Sequence, residues 1–198
     1  MGIIDVTSEY RSLYHPKNEP SLVSVPAFPY FIVDGEGDPA DESYEKAVQL
    51  LYELSYTLKM GFTKEPWYRD FVVSPLEGVW TALEVENRDT WRWSSMIVQP
   101  SFVTEEMFHP VAELCSFKKK ISTKDARFAV LEDGLCVTMM HIGSYAEEDL
   151  SIEKMEAFCV ENDLLRSSES HREIYLSDPK KTKPENLKTV LRFTVKRV

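Results

Sequence analysis

Three polar side chains near the C-terminus have the types and spacing to do chemistry: His171, Glu173 and Tyr175, in the segment His171-Arg172-Glu173-Ile174-Tyr175-Leu176. In a strand every second side chain shares a face, so these three fall on one side and Ile174 and Leu176 on the other. A carboxylate between an imidazole and a phenol can meet a cationic or polarised ligand. Partly buried, its pKa rises towards that of a usable general base. With Ile174 and Leu176 packed under the helices, the polar trio faces either water or a cleft, and the alternation alone leaves both open.

Aromatic residues are the second source of chemistry. Trp80, Trp91, Trp93, Tyr145 and Tyr175 all fall on predicted strands or their ends. They either pack a core or offer flat apolar surface to a planar polycycle or a cation. His141 precedes Gly143 and Tyr145 at a strand-to-helix corner, as a satisfied core histidine or a ligand contact. Other chemistries drop out. There is no G-x-x-x-x-G-K loop, Gly35-Glu36-Gly37 lacks the third glycine of a dinucleotide fingerprint, and Gly143-Ser144-Tyr145 is not embedded in a G-x-S-x-G elbow. His15, His109, His141 and His171 have no second His or Cys at zinc-ligand spacing. No metal or cofactor is expected.

The frame that must position these groups is one large domain of 198 residues, 43% apolar. Against 23 basic side chains stand 33 acidic ones, a formal charge of -10 that repels phosphate backbones, so direct nucleic-acid binding is not expected. No secretion signal and no apolar run of membrane-spanning length is visible. Cys115, Cys136 and Cys159 are odd in number and embedded in apolar stretches, which fits buried thiols in a reducing cytoplasm.

Along the chain, residues 1–21 form an irregular arm. A strand-like stretch from Leu22 to Val33 is interrupted by Pro26 and Pro29, the mark of an edge or bulge, and ends at Gly35. Asp38-Pro39 opens a helix whose apolar positions, Tyr44, Ala47, Val48, Leu51, Leu54 and Leu58, run to Gly61. A meander is expected from Phe71–Val73, Val79–Val85 and Trp93–Val98, then a bridging helix over about 104–118. The order then repeats: a strand at 128–131, a turn at Asp133-Gly134, a strand at 135–142, a helix carrying Ile152, Met155, Phe158 and Cys159, and strands at 173–176 and 190–195. A shift of 108 positions superposes Gly35 on Gly143, Asp41 on Asp149, Ser43 on Ser151, Glu45 on Glu153 and Lys46 on Lys154. The expected class is α+β, with tandem duplicated strand-helix-strand-strand modules (about 22–100 and 126–198) around a pseudo-twofold cleft.

Specific stretches then resemble a known family. Pro75-Leu76-Glu77-Gly78-Val79-Trp80, Trp91-Arg92-Trp93 leading to Ile97-Val98-Gln99-Pro100, His141-Ile142-Gly143-Ser144-Tyr145, and the segment from His171 to Pro179 with the 181–189 stretch after it resemble the stand-alone GyrI-like small-molecule-binding domain family. Thr81 departs from it, where a second aromatic is expected. The resemblance implies antiparallel sheets in paired modules over 22–198, similar to effector-binding domains of multidrug-responsive regulators, in which a late-strand glutamate contacts cationic aromatic drugs. Glu173 matches that position. It also implies a hydrolase of cyclopropane-bearing alkylating compounds, with Glu173 activating water, Trp80, Trp93 and Tyr145 holding the polycycle, and Tyr145 or Tyr175 bonding its carbonyl. His171 and His141 are further candidate ligand contacts, read from their places on the late strand and at the strand-to-helix corner. A non-catalytic drug-sequestering protein, or an interaction module for DNA gyrase, are the alternatives.

Overall fold

The two prolines of residues 22–33 separate two strands that go to different places. In the computed structural model, which describes residues 2–81 and 87–198, β1 is Ser21–Val25 and β2 is Phe28–Glu36. Pro29 sits at the second position of β2, where a missing N–H is tolerated. The Asp38-Pro39-Ala40-Asp41 stretch makes a turn of its own, with Asp38 accepting the Ala40 N–H at 2.8 Å and the Asp41 N–H reaching the Asp38 carbonyl. The helix, α3 (Glu42–Gly61), therefore starts a turn later than the sequence suggested. It follows two single-turn helices in the arm, α1 (Val6–Glu9) and α2 (Arg11–Tyr14).

Of the expected meander, 71–73 contributes only a parallel bridge between Phe71 and Ile4. Strand β3 is Leu76–Thr81, and the rest of the expected 79–85 strand lies outside the described residues. It pairs with β4 (Arg92–Val98). Next come α4 (Glu105–Lys119), β5 (Ala126–Leu131), β6 (Gly134–Ile142), α5 (Glu148–Glu161), a short β7 (Leu164–Arg166) absent from the sequence reading, β8 (His171–Tyr175) and β9 (Lys188–Arg197). All pairings between these strands are antiparallel.

The sheet runs β1-β6-β9-β8-β3-β4-β2-β5, with β7 added on β9. In each half the strand before the long helix pairs with the last strand of its module, so β2-β4-β3 mirrors β6-β9-β8, and β3 meets β8 at the pseudo-twofold centre. Chain connectivity forces the sheet to curl. β1 and β2 lie six strand spacings apart, about 29 Å if the sheet were flat, yet three residue steps join Val25 to Phe28 and span at most about 11 Å. β5 and β6 make the same demand at the other end.

One face carries α3 and α4 over the first half, with Leu51, Leu54, Leu58, Phe108 and Val111 in its core, and α5 over the second half around Met155 and Leu191. The arm fills the opposite face: Val6, Leu13 and Tyr14 pack with Tyr30, Met96 and Ile174. There a buried ionic cluster ties arm to sheet. The Arg172 guanidinium donates Nε and Nη2 to Asp133, at 2.9 Å each, and Nη1 to Glu77 at 2.9 Å, while the Tyr14 hydroxyl donates to the other Glu77 oxygen at 3.0 Å. Arg192 Nη2 donates to the Leu13 carbonyl at 2.7 Å.

Candidate functional site at the pseudo-twofold centre

Strand register decides which side chains meet. Glu173 stands opposite Gly78, Trp80 opposite His171, and Trp93 opposite both Trp80 and Gly35. Directly paired residues of antiparallel strands share a face. His171, Glu173, Tyr175, Trp80 and Trp93 therefore lie together. Their face is the one covered by the long helices: α3 brings Tyr44, whose ring is 5.4 Å from Trp80 and 5.1 Å from Trp93. This reverses the sequence expectation, since Ile174 packs under the arm on the far face and the polar trio lies under the helices.

A hydrogen-bonded chain runs through the cluster. The Trp80 indole N–H donates to the Tyr175 hydroxyl at 2.8 Å, the Tyr175 hydroxyl donates to one Glu173 oxygen at 2.8 Å, and His171 Nε2 meets the other at 2.9 Å. An ionised Glu173 only accepts, which puts the His171 proton on Nε2. Gly78 makes room for this chain, because a Cβ there would stand 2.7 Å from Trp80 Nε1 and 3.1 Å from the Tyr175 hydroxyl. Gly78→Ala is expected to push the indole and phenol apart, at about 1–3 kcal/mol. Thermal unfolding together with a ligand titration checks it; unchanged stability and binding would refute the close packing.

The second carboxyl comes from α5. Glu148, 8% exposed, has its pKa pushed up to about 9, first by burial and then by the charge of Glu173. At neutral pH it is an acid beside a carboxylate. The unfolded chain releases this proton near 4.5, so between that pH and about 9 the folded chain holds a proton the unfolded chain lacks. Stability contributed by this group accordingly falls as pH rises through that window, by up to about 1.4 kcal/mol per pH unit, and levels off above it. Urea unfolding of the native protein and Glu148→Gln from pH 5 to 9 is expected to show the variant gaining on the native protein as pH rises. A constant difference would mean Glu148 is not protonated.

Tyr145 packs edge-on against Tyr175 at 5.9 Å, is 41% exposed, and is raised to about 12 by burial and then by the charges of Glu148 and Glu173. Tyr175 is raised further, again chiefly by burial. Both phenols thus keep their protons. His141 lies in the same cross-strand row as Thr189 and Tyr175, but both ring nitrogens are taken locally: Nδ1 by the Ser151 hydroxyl at 2.9 Å and Nε2 by the Ser144 carbonyl at 3.0 Å. It braces the corner from which Tyr145 and Glu148 project, where Gly143 takes a φ of 149° and Ser144 forms a capping box with Glu147. Trp93 reaches the cluster through Tyr44.

Two members escaped the sequence reading. Tyr44 was counted among the apolar positions of a helix. Glu148 sits in a first helical turn, where an acid ordinarily complements the helix dipole, so no signal marked it. The duplicated modules and the polar centre walled by aromatics define a small-molecule-binding architecture. Residues 18–196 match the GyrI-like small molecule binding domain, and the chain belongs to that family. An uncharacterized conserved protein from Listeria innocua is 41% identical, covering 98% of this chain and 100% of its own, with a TM-score of 0.93. A hydrolase from Listeria innocua is 40% identical over the same shares, with a TM-score of 0.91. The EcmrR C-terminal domain shares the fold at 14% identity, covering 91% of this chain and 98% of its own, with a TM-score of 0.60. Comparison with curated proteins gives no match. Among the described residues no helix is long and apolar enough to cross a membrane.

Proposed function

We propose that the chain binds flat aromatic or cationic organic compounds at the Glu173 centre and hydrolyses those that carry a strained cyclopropane conjugated to a carbonyl. The observation that carries this reading is the burial of two carboxyl groups, Glu148 and Glu173, in one aromatic-walled cluster, with the Glu148 pKa pushed up by burial and by the charge of Glu173. Environments that push two acids apart assign an acid and a base. Glu173 takes a proton from water as its oxygen bonds to the cyclopropane carbon. The ring C–C bond breaks, and its electron pair moves through the conjugated system to the carbonyl oxygen, which takes a proton from Glu148. Tyr145 is the phenol free to donate to that oxygen, since the Tyr175 hydroxyl donates its hydrogen bond to Glu173. Trp80, Trp93 and Tyr145 hold the polycycle, His171 orients Glu173, and no cofactor enters.

The hydrolase from Listeria innocua at 40% identity supports the enzymatic reading. A specific observation favours a second one, non-catalytic sequestration of cationic drugs: both Glu173 oxygens already accept a hydrogen bond, as a fixed counter-charge would. In either case the reading is a detoxifying, multidrug-type protein of the cytoplasm, with residues 1–21 as an arm behind the binding domain at 22–198, and with no nucleic-acid partner given the charge of -10. Incubating a cyclopropane-bearing alkylator with the native protein and with Glu173→Gln separates the readings. Turnover lost in the variant supports hydrolysis, while saturable binding without turnover by the native protein supports sequestration.

A further inference from the structure

The two arginines on the arm side of the sheet are unequally served. Arg172 and Arg192 stand directly opposite each other on β8 and β9, so both lie on the face the arm covers, 5% and 3% exposed. Every carboxylate oxygen of their cluster is already engaged. Both Asp133 oxygens accept from Arg172, and the Glu77 oxygens are divided between Arg172 and the Tyr14 hydroxyl. Arg192 is left with the Leu13 carbonyl, 2.7 Å from its Nη2. No carboxylate pairs with it among the described residues, and its Nε is buried with no hydrogen-bond partner. A desolvated guanidinium without a counter-charge is costly, and an anion that reaches it removes that cost.

Beside this group the sheet leaves a cavity of about 60 Å³, whose walls include Val79, Asp133, Ser170, Arg172, Arg192 and Thr194. Thr194 follows Arg192 by two positions on β9 and so shares its face. One water takes about 10–15 Å³ of such space, so the cavity holds a group of roughly four to five non-hydrogen atoms, the size of acetate or phosphate. Asp133, the acid in the wall, is neutralised by Arg172 at 2.9 Å. The guanidinium of Arg192 therefore sets the sign of the occupant.

We propose that this cavity binds a small oxyanion, a carboxylate or inorganic phosphate, with Arg192 as its counter-charge and Thr194 as a hydroxyl donor. The site lies across the sheet from Glu173 and does not depend on hydrolysis there. Arg192 also holds the Leu13 carbonyl, so an anion that fixes the guanidinium fixes α2 of the arm with it. The probes are sodium phosphate and sodium acetate at pH 7, each set against sodium chloride of equal ionic strength. Calorimetry reads Kd, thermal unfolding reads Tm, and NMR follows the Arg192 Nε–H resonance, assigned with Arg192→Gln.

At least one of the two oxyanions is expected to bind saturably, to shift that resonance, and to raise Tm by roughly 3–6 °C at about tenfold excess over Kd, where chloride does not. The phosphate and acetate arms tell which of the two the cavity takes. Arg192→Gln is expected to weaken binding by at least about tenfold. Thr194→Leu fills the cavity from a half-buried position while keeping the arginine, and is expected to abolish binding; it carries the test should Arg192→Gln unfold. No saturable binding of either oxyanion, an equal rise of Tm in chloride, or affinity unchanged by the variants overturns the proposal.

Discussion

Glu173→Gln is expected to lower turnover of a cyclopropane-bearing alkylator by about 100-fold or more while ligand binding changes far less. The amide matches the carboxylate in size, and its oxygen still accepts from the Tyr175 hydroxyl, so the Trp80–Tyr175 geometry has its anchor. What disappears is the site that accepts a proton from water. The charge of Glu173 also raises the Glu148 pKa, so its removal lowers that pKa from about 9, while burial, the larger cause, still holds it up. Initial rates and Kd measured on the same preparations check this. Equal turnover by both proteins would sink the general-base role, and for a cationic ligand a large loss of affinity without native turnover would identify Glu173 as a counter-charge.

The second large effect concerns stability. Glu77 is 1% exposed and links two layers, taking the Tyr14 hydroxyl from the arm and the Arg172 guanidinium from β8. Glu77→Ala leaves Arg172, 5% exposed, with Asp133 as its remaining ion-pair partner and strips the Tyr14 hydroxyl of its acceptor. Breaking a buried pair from one side costs about 3–5 kcal/mol, because the remaining charge stays desolvated. For a chain of this size that lowers Tm by about 10 °C. Glu77→Leu combined with Arg172→Met and Asp133→Asn is expected to recover part of the loss, since the guanidinium and both of its carboxylate partners go together while the Tyr14 hydroxyl stays without its acceptor. Calorimetric unfolding of both variants checks it; a Glu77→Ala protein as stable as the native one would show that the cluster holds nothing.

The pH series on Glu148 and the Gly78→Ala packing test bear on the same centre from independent directions. If Glu148 titrates as its burial implies, alkaline pH both destabilises the fold and removes the acid. Turnover is then expected to decline as pH passes about 9. If Gly78→Ala disrupts the Trp80–Tyr175 bond, the late strand and the central hairpin act as one unit across the pseudo-twofold axis.

Local pattern determined a good deal about this protein. Period-two alternation placed His171, Glu173 and Tyr175 on one face, helical spacing marked α3, and the 108-residue shift exposed the duplication, all before any long-range contact was known. These signals are legible because strand pleat and helix pitch are local properties of the backbone. The family-matching motifs added Glu173 as the site centre, where alternation by itself was equally consistent with a solvated face. Tertiary structure decided the rest. Which face of β8 the long helices cover depends on sheet curvature and on the arm filling the other side, and neither is written in the strand. Pro26 reads as an interruption of one strand, yet it joins β1 and β2 at nearly opposite ends of a curled sheet. Glu148 reads as an ordinary helix-start acid; only docking of α5 over β6, β7 and β9 buries it beside Glu173 and raises its pKa. Its function-bearing property is a pKa, and a pKa is set by neighbours that come together through space, not along the chain.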